Sequence, residues 1–250
     1  GVYVGSGIGG MHTFVAETEK LLKRGPARVS PFFVPMMIGN MAAGTIAIAY
    51  HAQGPCLPVV TACATSTHAI GEAFRAIAHG YADAIFAGGA EATIEPLAVA
   101  GFTNSQALSL SEDPNAASLP FDARRSGFVM GEGAGVMVLE EYEHAVLRGA
   151  KVYAEITGYA NTCDAYHMTA PLPDGTCAAR AIEQAAREGG ITADDRLYVN
   201  AHGTGTPLND SSETLALKLG LGEDMARRAA ISSTKSMTGH MLGAAGAVEA

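Results

Sequence analysis

Strand-like apolar runs alternate with amphipathic helical patterns along this chain, and the alternation restricts its fold more than any other feature. The runs typical of strands are VYVG, PVVTA, ADAIFAGG, GVMVLEE, KVYAEITGYA, LYVNAHG and AAISSTK. Helical patterns occur near residues 11–24, 63–79, 140–149, 175–189, 210–220 and 240–250. Strands that are separated by helices indicate an α/β fold with a largely parallel sheet. The uninterrupted apolar run at residues 84–87 is typical of a strand that is buried on both faces.

The composition limits the classes of function and the cellular setting. With 250 residues, of which 48% are hydrophobic, the chain is long enough for a substantial core. Its net charge of −9 argues against a general nucleic-acid surface or a surface for anionic membranes. No uncharged apolar run reaches the length of about 20 residues that a membrane span needs. The four cysteines form no CxxC pair and indicate free thiols, so we predict a cytoplasmic protein.

A weak internal duplication indicates two α/β halves. The strand GVYVGSG parallels LYVNAHG, and each half later has a small-residue turn that leads into a helix, PVVTAC-ATSTHAIGEA and AAISSTKSMTGH-MLGAAGA. Two halves of similar plan would bring these two turns face to face. We therefore predict an N-terminal half over residues 1–150 and a C-terminal half over residues 151–250. Gly1 and Ala250 both fall inside patterned segments, so we expect the chain to be the middle of a longer protein.

The final helical pattern contains unusually little side-chain bulk. Gly239, Gly243 and Gly246 are interspersed there with alanines. A glycine in a helix interior costs roughly 1 kcal/mol relative to alanine, so a compensating interaction is needed. We predict that another backbone approaches this helix closely and that the helix is central and buried.

Cys63 stands where the run PVVTA ends and a helical pattern begins. The unpaired N–H groups at a helix N-terminus carry a partial positive charge, which favours a thiolate. The thiolate is the nucleophilic form of cysteine, and the same N–H groups can hold an oxyanion after attack on a thioester or ester. The alternative is a small buried hydrophobe, an interpretation that we keep for Cys56, Cys163 and Cys177.

Two histidines stand in comparable settings. His202 lies in NAHGTGTP, where a strand gives way to small residues, and His240 lies in STKSMTGH at the head of the Gly/Ala-rich helix. A helix N-terminus disfavours imidazolium, so we expect His240 to be neutral and to donate an N–H hydrogen bond. Beside a cysteine nucleophile, two neutral histidines suit the stabilisation of an enolate or oxyanion. For either histidine alone a structural role is preferred, and Lys235 fits either an electrostatic role or an ion pair with Asp210 or Glu213.

Two further motifs are similar to cofactor or metal sites. GSGIGG at residues 5–10 satisfies GxGxxG after a strand, but the acidic residue expected at the end of a following strand is not evident. We therefore do not predict dinucleotide binding. Cys163 and His167 offer two metal ligands without a second pair, so no metal site is predicted either.

Taken together, the motifs resemble those of the β-ketoacyl-[acyl-carrier-protein] synthases of the type II (elongating) kind, within the thiolase-like superfamily. The similarity extends over essentially the whole chain and rests on GSGIGG, SPFFVP, TACATSTHAIGEA, GGAEA, PFDARRSGFVMGEGAG, VLEEYEHAVLRGAKVYAEI, DAYHMTAP, NAHGTGTPLNDSSE and STKSMTGHMLGAAGAVE. The resemblance implies a thiolase-like α/β fold in which two similar halves pack as a five-layer αβαβα sandwich, here truncated at both ends. It also implies that GSGIGG lines a pocket and does not bind a nucleotide.

The resemblance implies the catalytic residues and their roles. Cys63 would accept the growing acyl chain as a thioester. His202 and His240 would assist decarboxylation of malonyl-carrier protein and stabilise the enolate that attacks acyl-Cys63. Lys235 and Glu213 would form a supporting network. This reaction elongates fatty acids by two carbons and uses no metal and no cofactor except the phosphopantetheine that arrives on the acyl carrier protein.

Substrate contacts and partners follow from the same resemblance. Thr204 and Thr206 match threonines that hydrogen-bond the phosphopantetheine arm. Ile8, Phe33 and Phe102 match positions of the acyl pocket, and Phe33 is expected to reach the pocket of a partner subunit. The implied partners are the acyl carrier protein, charged with acyl and malonyl groups, and a second copy of the chain in a homodimer formed through strands near the nucleophile.

Members of the family differ from this chain in their length. They have further residues before Gly1 and, after Ala250, a Gly-Phe-Gly-Gly loop whose amide completes the oxyanion hole. Loss of one such donor typically costs ~10²–10³ in rate, so we expect the 250-residue chain itself to be weakly active or inactive. Arg28, Arg124 and Arg125 are candidates for binding the acidic carrier protein.

Other classes of protein share part of this pattern. A ketosynthase domain of a polyketide synthase would have nearly the same core motifs. A non-catalytic partner subunit of the chain-length-factor type would lack the nucleophile, whereas this chain has Cys63 and both histidines. A biosynthetic thiolase would need a second active-site cysteine, for which no motif is present. The initiating (type III) synthases use Cys-His-Asn, and His240 argues against them.

Overall fold

The strands of the chain form two separate sheets, one in each of two units. The computed structural model describes residues 1–250. Unit 1 consists of Gly1–Ser105, Met130–Val152 and Met241–Ala250, and unit 2 consists of Gln106–Val129 and Tyr153–His240. Both units are discontinuous in sequence, and the division of the chain into halves at residue 150 stays a prediction.

Helices and strands alternate along the chain as the apolar runs predicted. The five strands are β1 (Val2–Gly5), β2 (Ala84–Glu91), β3 (Gly133–Glu140), β4 (Tyr198–Asn200) and β5 (Ala230–Ser232). The eleven α-helices are α1 (Met11–Arg24), α2 (Phe33–Met37), α3 (Met41–Ala49), α4 (Thr65–Ala78), α5 (Pro96–Asn104), α6 (Tyr142–Leu147), α7 (Thr176–Glu188), α8 (Pro207–Leu221), α9 (Glu223–Arg228), α10 (Lys235–Thr238) and α11 (Ala245–Glu249). Short 3₁₀ helices span Pro26–Arg28, Ala62–Ala64, Pro114–Ala116 and Leu242–Ala244. The longest helix, α8, has 15 residues, and none is long and apolar enough to traverse a lipid bilayer.

The sheet of unit 1 has the order β1-β2-β3 and is mixed. β1 pairs in parallel with β2, with Gly5 opposite Gly89, whereas β2 and β3 are antiparallel. Val2 and Val4 of β1 are buried together with Ala43 of α3. Because parallel strands end at the same edge of a sheet, the turn after β1 and the end of β2 at Glu91 lie side by side.

Helix α11 and the 3₁₀ helix before it are buried and lie against other backbone, as their glycines predicted. A Cβ added at Gly243 would lie 2.3 Å from the backbone nitrogen of Gly7, and one added at Gly246 would lie 2.0 Å from Oγ1 of Thr67 in α4. The backbone N–H of Ala247 donates to Oγ of Ser66 at 2.9 Å, which fixes α11 on α4. The prediction of a central helix that another backbone approaches closely is therefore confirmed.

Two turns of unit 1 share one backbone conformation. Ala62 and Leu242 each begin a 3₁₀ helix with a positive φ, 51° and 44° respectively, which non-glycine residues rarely adopt. The two 3₁₀ helices lead directly into α4 and α11 and pack against each other. They belong to the two small-residue turns that the sequence matched, and they lie face to face as predicted.

In unit 2, the short parallel pair β4 and β5 leads into the loops that carry polar side chains. Tyr198 lies opposite Ala230 and Asn200 opposite Ser232, so both strands end at the same edge. Helices α7 and α8 pack tightly at Gly220 of α8. A Cβ added there would lie only 2.7 Å from the carbonyl oxygen of Ala179 of α7.

Some predicted elements differ in the structure. The runs PVVTA at residues 58–62 and KVYAEITGYA at residues 151–160 were predicted as strands, but neither pairs with another strand. Near the first run, only an isolated bridge joins Cys56 to Val2. A strand exists through its hydrogen bonds to a neighbour, so an apolar run without a neighbour stays irregular. Five helices were not predicted: α2, α3, α5, α9 and α10.

Candidate active site

Two histidine rings meet in unit 2, at the ends of two different elements. His202 follows β4, and His240 follows α10 after Gly239, whose φ of 69° turns the chain. The ring centroids of the two histidines are 5.2 Å apart, and the ring planes are nearly perpendicular at 86°. The ring of Phe128 contacts His240 edge-on at 5.2 Å, and the backbone N–H of His240 donates to the carbonyl oxygen of Val129 at 2.7 Å. The sequence predicted both histidines, and the structure brings them together.

Glu213 of α8 holds the loop that carries His202. Its two carboxylate oxygens accept the backbone N–H groups of His202 and Gly203, each at 2.7 Å. The side-chain amide of Asn209 donates to the same carboxylate at 3.2 Å. Burial raises the pKa of Glu213, and these hydrogen bonds oppose the rise. Glu213 therefore fixes the backbone of His202 and acts on the site through the loop that carries this histidine.

Both imidazoles are held in the neutral state. Burial, together with the positive charge of Lys235, lowers the pKa of His202 to about 3. Burial lowers the pKa of His240 to about 2, and His202 and Lys235 contribute to the decrease. Burial penalises the charged form of a histidine, so each ring stays neutral and keeps one N–H donor and one bare nitrogen. The sequence predicted a neutral His240, and the cause found here is burial rather than the helix terminus.

Lys235 is a buried cation close to these rings. Its side chain is only 1% exposed, and it lies at the start of α10, which follows β5. The hydroxyl of Ser118 donates to the carbonyl oxygen of Lys235 at 2.7 Å, and the backbone N–H of Lys235 faces Oγ of Ser233 at 3.3 Å. The structure therefore anchors the backbone of Lys235 and keeps its ammonium near both imidazoles.

Thr204 and Thr206 lie on the loop between His202 and α8, with their hydroxyl groups hydrogen-bonded to each other at 2.8 Å. Asp210, which is 2% exposed, supports this loop. Its carboxylate accepts the backbone N–H of Gly205 at 3.2 Å and that of Phe121 at 2.7 Å. The two threonines therefore stand on a turn of fixed shape.

Cys63 lies in unit 1, within the 3₁₀ helix Ala62–Ala64 that leads into α4 at Thr65. The backbone N–H of Thr61 donates to Oγ1 of Thr65 at 2.9 Å and closes the turn around the cysteine. The thiol forms no disulfide and is half-buried. The position at the head of a helix is the one that the sequence predicted, and there the helix dipole favours a thiolate.

The residues predicted for the acyl pocket are spread over three elements of unit 1. Ile8 is exposed in the turn after β1, Phe33 begins α2 and has its ring 6.4 Å from that of Phe14, and Phe102 is half-buried in α5. A cavity of about 610 Å³ in the same unit is lined by other residues, among them Met36, Ile38, Met41, Ala90, Glu91 and Glu132. The structure does not bring Ile8, Phe33 and Phe102 together around it.

The three arginines considered for carrier binding have different surroundings. Arg125 is bonded internally, since its guanidinium donates to the carbonyl oxygens of Asp122 and Pro207 and to Oγ of Ser211. Arg124 pairs with the carboxylate of Asp122. Arg28 is exposed in the first 3₁₀ helix. Of the three, Arg28 has the most freedom to bind a partner.

Sequence reasoning missed the buried carboxylate of Glu91, and it named Asp210 only as a possible ion-pair partner of Lys235. Glu91 is 3% exposed and ends the apolar strand β2. A charged residue inside the run AIFAGGAE was the available signal, because a buried carboxylate needs hydrogen-bond donors.

The neutral histidines predict a loss of stability in mild acid. Their unfolded pKa is 6.5, and the folded values are about 3 and about 2, so the unfolded chain binds more protons as the pH falls below 6.5. The contribution of the two histidines to the free energy of unfolding is greatest above pH 6.5. It declines below that pH, by roughly 4 kcal/mol in total between pH 7.5 and pH 5. Urea unfolding of the full-length gene product at the two pH values measures this difference.

A variant with both His202 and His240 replaced by asparagine is the control for this prediction, and it should lose most of the pH dependence. Asp122 and Glu140, whose pKa values are about 2, are largely ionised in both states at pH 5 and above and contribute little there. An unchanged pH dependence in the double variant would contradict the assignment.

Two family descriptions match the chain. The model described as "Beta-ketoacyl synthase, N-terminal domain" matches residues 1–145, and "Beta-ketoacyl synthase, C-terminal domain" matches residues 153–250. Curated relatives agree with them. The chain is 54% identical over 251 residues to 3-oxoacyl-[acyl-carrier-protein] synthase 2 of Synechocystis sp., with 100% of this chain and 60% of the relative aligned. It is 53% identical over 250 residues to the protein of the same name from Staphylococcus aureus, with 100% and 62% aligned.

Solved structures show the same relationship. A beta-ketoacyl synthase from Burkholderia phymatum STM815 superimposes with a TM-score of 0.89 at 38% identity, covering 100% of this chain and 60% of that one. A ketosynthase solved in complex with its type II PKS acyl-carrier protein gives a TM-score of 0.89 at 38% identity, covering 98% and 63%. The chain spans about 60% of the length of the curated relatives that it matches. The chain belongs to the beta-ketoacyl synthase family and has its thiolase-like α/β fold.

Proposed function

We propose that this protein is a β-ketoacyl-[acyl-carrier-protein] synthase that elongates fatty acids by decarboxylative Claisen condensation. The observation that carries the proposal is the pair of neutral histidines, 5.2 Å apart and beside the buried ammonium of Lys235. A neutral imidazole donates an N–H hydrogen bond to a developing oxyanion and keeps its proton. The family to which the chain belongs supports the same reaction.

The reaction has two bond-forming steps. The thiolate of Cys63 attacks the carbonyl carbon of an acyl thioester, and the sulfur of the carrier-bound phosphopantetheine leaves and takes up a proton. A malonyl thioester then loses CO₂, and the electron pair of the broken bond forms an enolate. His202 and His240 donate N–H hydrogen bonds to the enolate oxygen. The enolate carbon attacks the acyl carbonyl carbon, and the sulfur of Cys63 leaves as the β-ketoacyl product forms.

The remaining predicted residues have supporting roles in this proposal. The charge of Lys235 adds to the larger effect of burial in keeping both imidazoles neutral, and Glu213 fixes the loop of His202. Thr204 and Thr206 hydrogen-bond the phosphopantetheine arm from a turn of fixed shape, which Asp210 supports. Ile8, Phe33 and Phe102 contribute to the acyl pocket.

We propose that the acyl carrier protein is the partner that delivers both substrates. The protein then needs no metal and no cofactor of its own, because phosphopantetheine arrives with the carrier. A ketosynthase of similar fold was solved in complex with its acyl-carrier protein, which supports this partnership. Among the arginines considered, the exposed Arg28 is the preferred contact for the acidic carrier. Free cysteines are consistent with the proposed location in the cytoplasm.

We also include a homodimer formed through the segment near Cys63. Leu57 and Val60 of this segment are exposed, and so are Val34 and Met36 on α2. Exposed large apolar side chains are common where a protein surface contacts a partner. In such a dimer Phe33 at the start of α2 would reach the pocket of the partner subunit.

A ketosynthase of a polyketide pathway is the second candidate function. Similar solved structures include a type II PKS ketosynthase at 38% identity. The higher identity of 54% to a 3-oxoacyl-[acyl-carrier-protein] synthase favours fatty-acid elongation. A chain-length-factor role is disfavoured, because this chain has the cysteine that such a subunit lacks.

Acylation at a single cysteine tests the proposed function. The full-length gene product is incubated with acyl-carrier proteins of graded chain length and then analysed by peptide mass spectrometry. We expect the acyl group on the peptide that contains Cys63, and we expect none in Cys63→Ala. The control is Cys163→Ala, which removes an exposed free thiol and should load normally. Acylation that persists in Cys63→Ala, or that requires Cys163, would overturn the proposal.

A further inference from the structure

The carboxylate of Glu91 is buried at the end of β2 and is bound by hydrogen-bond donors from two separate segments. Oε1 accepts the hydroxyl of Ser6 at 3.0 Å and the backbone N–H of Ile8 at 3.4 Å. Oε2 accepts the backbone N–H groups of Gly7 at 2.9 Å and Gly243 at 3.0 Å. No lysine or arginine forms an ion pair with Glu91, so backbone amides and one hydroxyl alone compensate its charge.

The Gly-rich turn GSGIGG at residues 5–10 is therefore an anion-binding turn, and the anion that it binds is a carboxylate of the same chain. Three of its residues, Ser6, Gly7 and Ile8, donate directly to Glu91, and the N–H of Gly9 donates to Oγ of Ser6 at 2.9 Å. Successive backbone N–H groups that point to one centre form a concave anion site. In nucleotide-binding proteins such a turn holds phosphate, whereas here the carboxylate of Glu91 occupies the position.

The second segment on Glu91 is the 3₁₀ helix Leu242–Ala244, which matches the 3₁₀ helix of Cys63 in conformation and packs against it. A Cβ at Gly243 would lie 2.9 Å from Oε2 of Glu91, and one at Gly7 would lie 2.7 Å from the same atom. Both glycines are therefore needed for their N–H groups to reach the carboxylate. Glu91 joins the turn after β1 to the helix head at Gly243.

We propose that Glu91 is a positioning residue that sets the acyl-chain selectivity of the enzyme by fixing the turn of Ile8. The inference rests on the proposed function, in which Ile8 lines the acyl pocket. Glu91 also borders the cavity of about 610 Å³, so the turn that it holds forms part of the wall of that cavity through Ser6, Gly9 and Gly10. A turn released from Glu91 would let both Ile8 and this wall of the cavity move, and it would weaken discrimination between acyl lengths.

The substitution Glu91→Gln removes one of the two accepting oxygens and keeps the other. A glutamine has one accepting oxygen. Its NH₂ group takes the position of the other carboxylate oxygen and faces the donors that this oxygen accepted. The hydroxyl of Ser6 can rotate and accept from that NH₂, whereas the N–H groups of Gly7 and Gly243 can only donate. We therefore expect the glutamine oxygen to keep Gly7 and Gly243, and the bond to Ile8 to be lost. The fold should survive, because the bonds that remain connect the two segments.

The test compares the rates at which Cys63 is loaded from acyl-carrier proteins of graded length in the full-length gene product. We expect the ratio of kcat/KM between the preferred length and a length four carbons longer to fall by about fivefold or more in Glu91→Gln. Ser6→Ala removes a donor to the same oxygen and should change the ratio in the same direction. Glu132→Gln is the matched control. Glu132 lines the same cavity but accepts only the N–H of Ile94, and the single oxygen of a glutamine can still accept it. The ratio of kcat/KM between acyl lengths should therefore be unchanged in Glu132→Gln.

Two results would overturn the inference while leaving the proposed function intact. In the first, the wild type loads normally and the ratio of kcat/KM between acyl lengths is unchanged in both Glu91→Gln and Ser6→Ala. In the second, kcat/KM decreases equally at every acyl length, as a merely structural role would predict. Amide hydrogen exchange provides a readout that does not depend on activity, since the N–H of Ile8 should exchange faster in Glu91→Gln while the N–H groups of Gly7 and Gly243 stay protected. Failure of the wild type to load any acyl group would instead overturn the proposed function, and the selectivity role with it.

Discussion

Replacing His240 with alanine in the full-length gene product is expected to stop condensation while Cys63 still takes up an acyl group. A neutral His240 acts by donating an N–H hydrogen bond, and the exchange of thioesters at Cys63 does not depend on that donor. Loss of CO₂ from the malonyl group places negative charge on the thioester oxygen. Removal of one donor from such a developing charge typically slows a reaction by ~10²–10³.

Each step can be measured separately. Peptide mass spectrometry gives the rate of acyl-Cys63 formation, and the release of labelled CO₂ from malonyl-carrier protein gives the rate of decarboxylation. We expect loading within about fivefold of the wild-type rate and CO₂ release lower by at least ~10². His79→Ala, which removes an exposed histidine at the end of α4, should change neither rate. Equal loss of loading and decarboxylation in His240→Ala would show that His240 serves both steps and would contradict its assigned role.

The parts of the fold that the sequence predicted correctly have a strong hydrophobic periodicity or residues that clearly mark the end of an element. Helix α4 buries Ile70 and Ala73 on one face and ends before Gly80, as the spacing indicated. The glycines at positions 243 and 246 carried tertiary information, because their lack of side chains has no local explanation. They predicted the close approach of another backbone, and the structure shows that the neighbours are Gly7 and Thr67.

The errors in the fold have two physical causes. Residues 151–160 have the composition of a strand, but pairing depends on a neighbour that local sequence does not specify. Helix α3, MAAGTIAIA, is apolar on nearly all sides, so it has little of the amphipathic pattern from which helices are recognised. The mixed sheet of unit 1 was missed for a related reason, since the direction of β3 depends on how the chain returns to β2.

The candidate site was predicted through residues whose chemistry is unusual for their position. Cys63 at a helix head and His202 after a strand stand out in sequence, and the motifs around them are specific to one family. Glu91 and Asp210 act through backbone N–H groups of distant segments, and no spacing in the sequence connects a carboxylate to such donors. Burial of His240 determines its low pKa, and burial likewise emerges only in three dimensions.

Replacing Gly243 with alanine is expected to be among the most destabilising single-methyl changes in unit 1. The new Cβ would lie 2.3 Å from the backbone nitrogen of Gly7, 3.0 Å from its Cα and 2.9 Å from Oε2 of Glu91. Two of these atoms belong to the backbone of a turn that follows a buried strand, so they cannot rotate away as a side chain would. Overpacking of this kind costs about 3 kcal/mol or more when the backbone must move. Displacement of the Gly243 N–H from Glu91 would add the cost of a lost hydrogen bond to a charged group, roughly 1.5–3 kcal/mol.

Gly101→Ala is the matched control, because it adds the same methyl group to a helix without steric conflict. Gly101 lies inside α5, and a Cβ there would meet no heavy atom within 4 Å. Alanine favours a helix more than glycine does, so this variant should gain about 0.4–1 kcal/mol. Urea unfolding of the full-length gene product compares the two variants with the wild type. Equal midpoints for Gly243→Ala and Gly101→Ala would mean that the Gly7 turn yields to the added methyl group, and the close contact could then not be the reason for glycine at position 243.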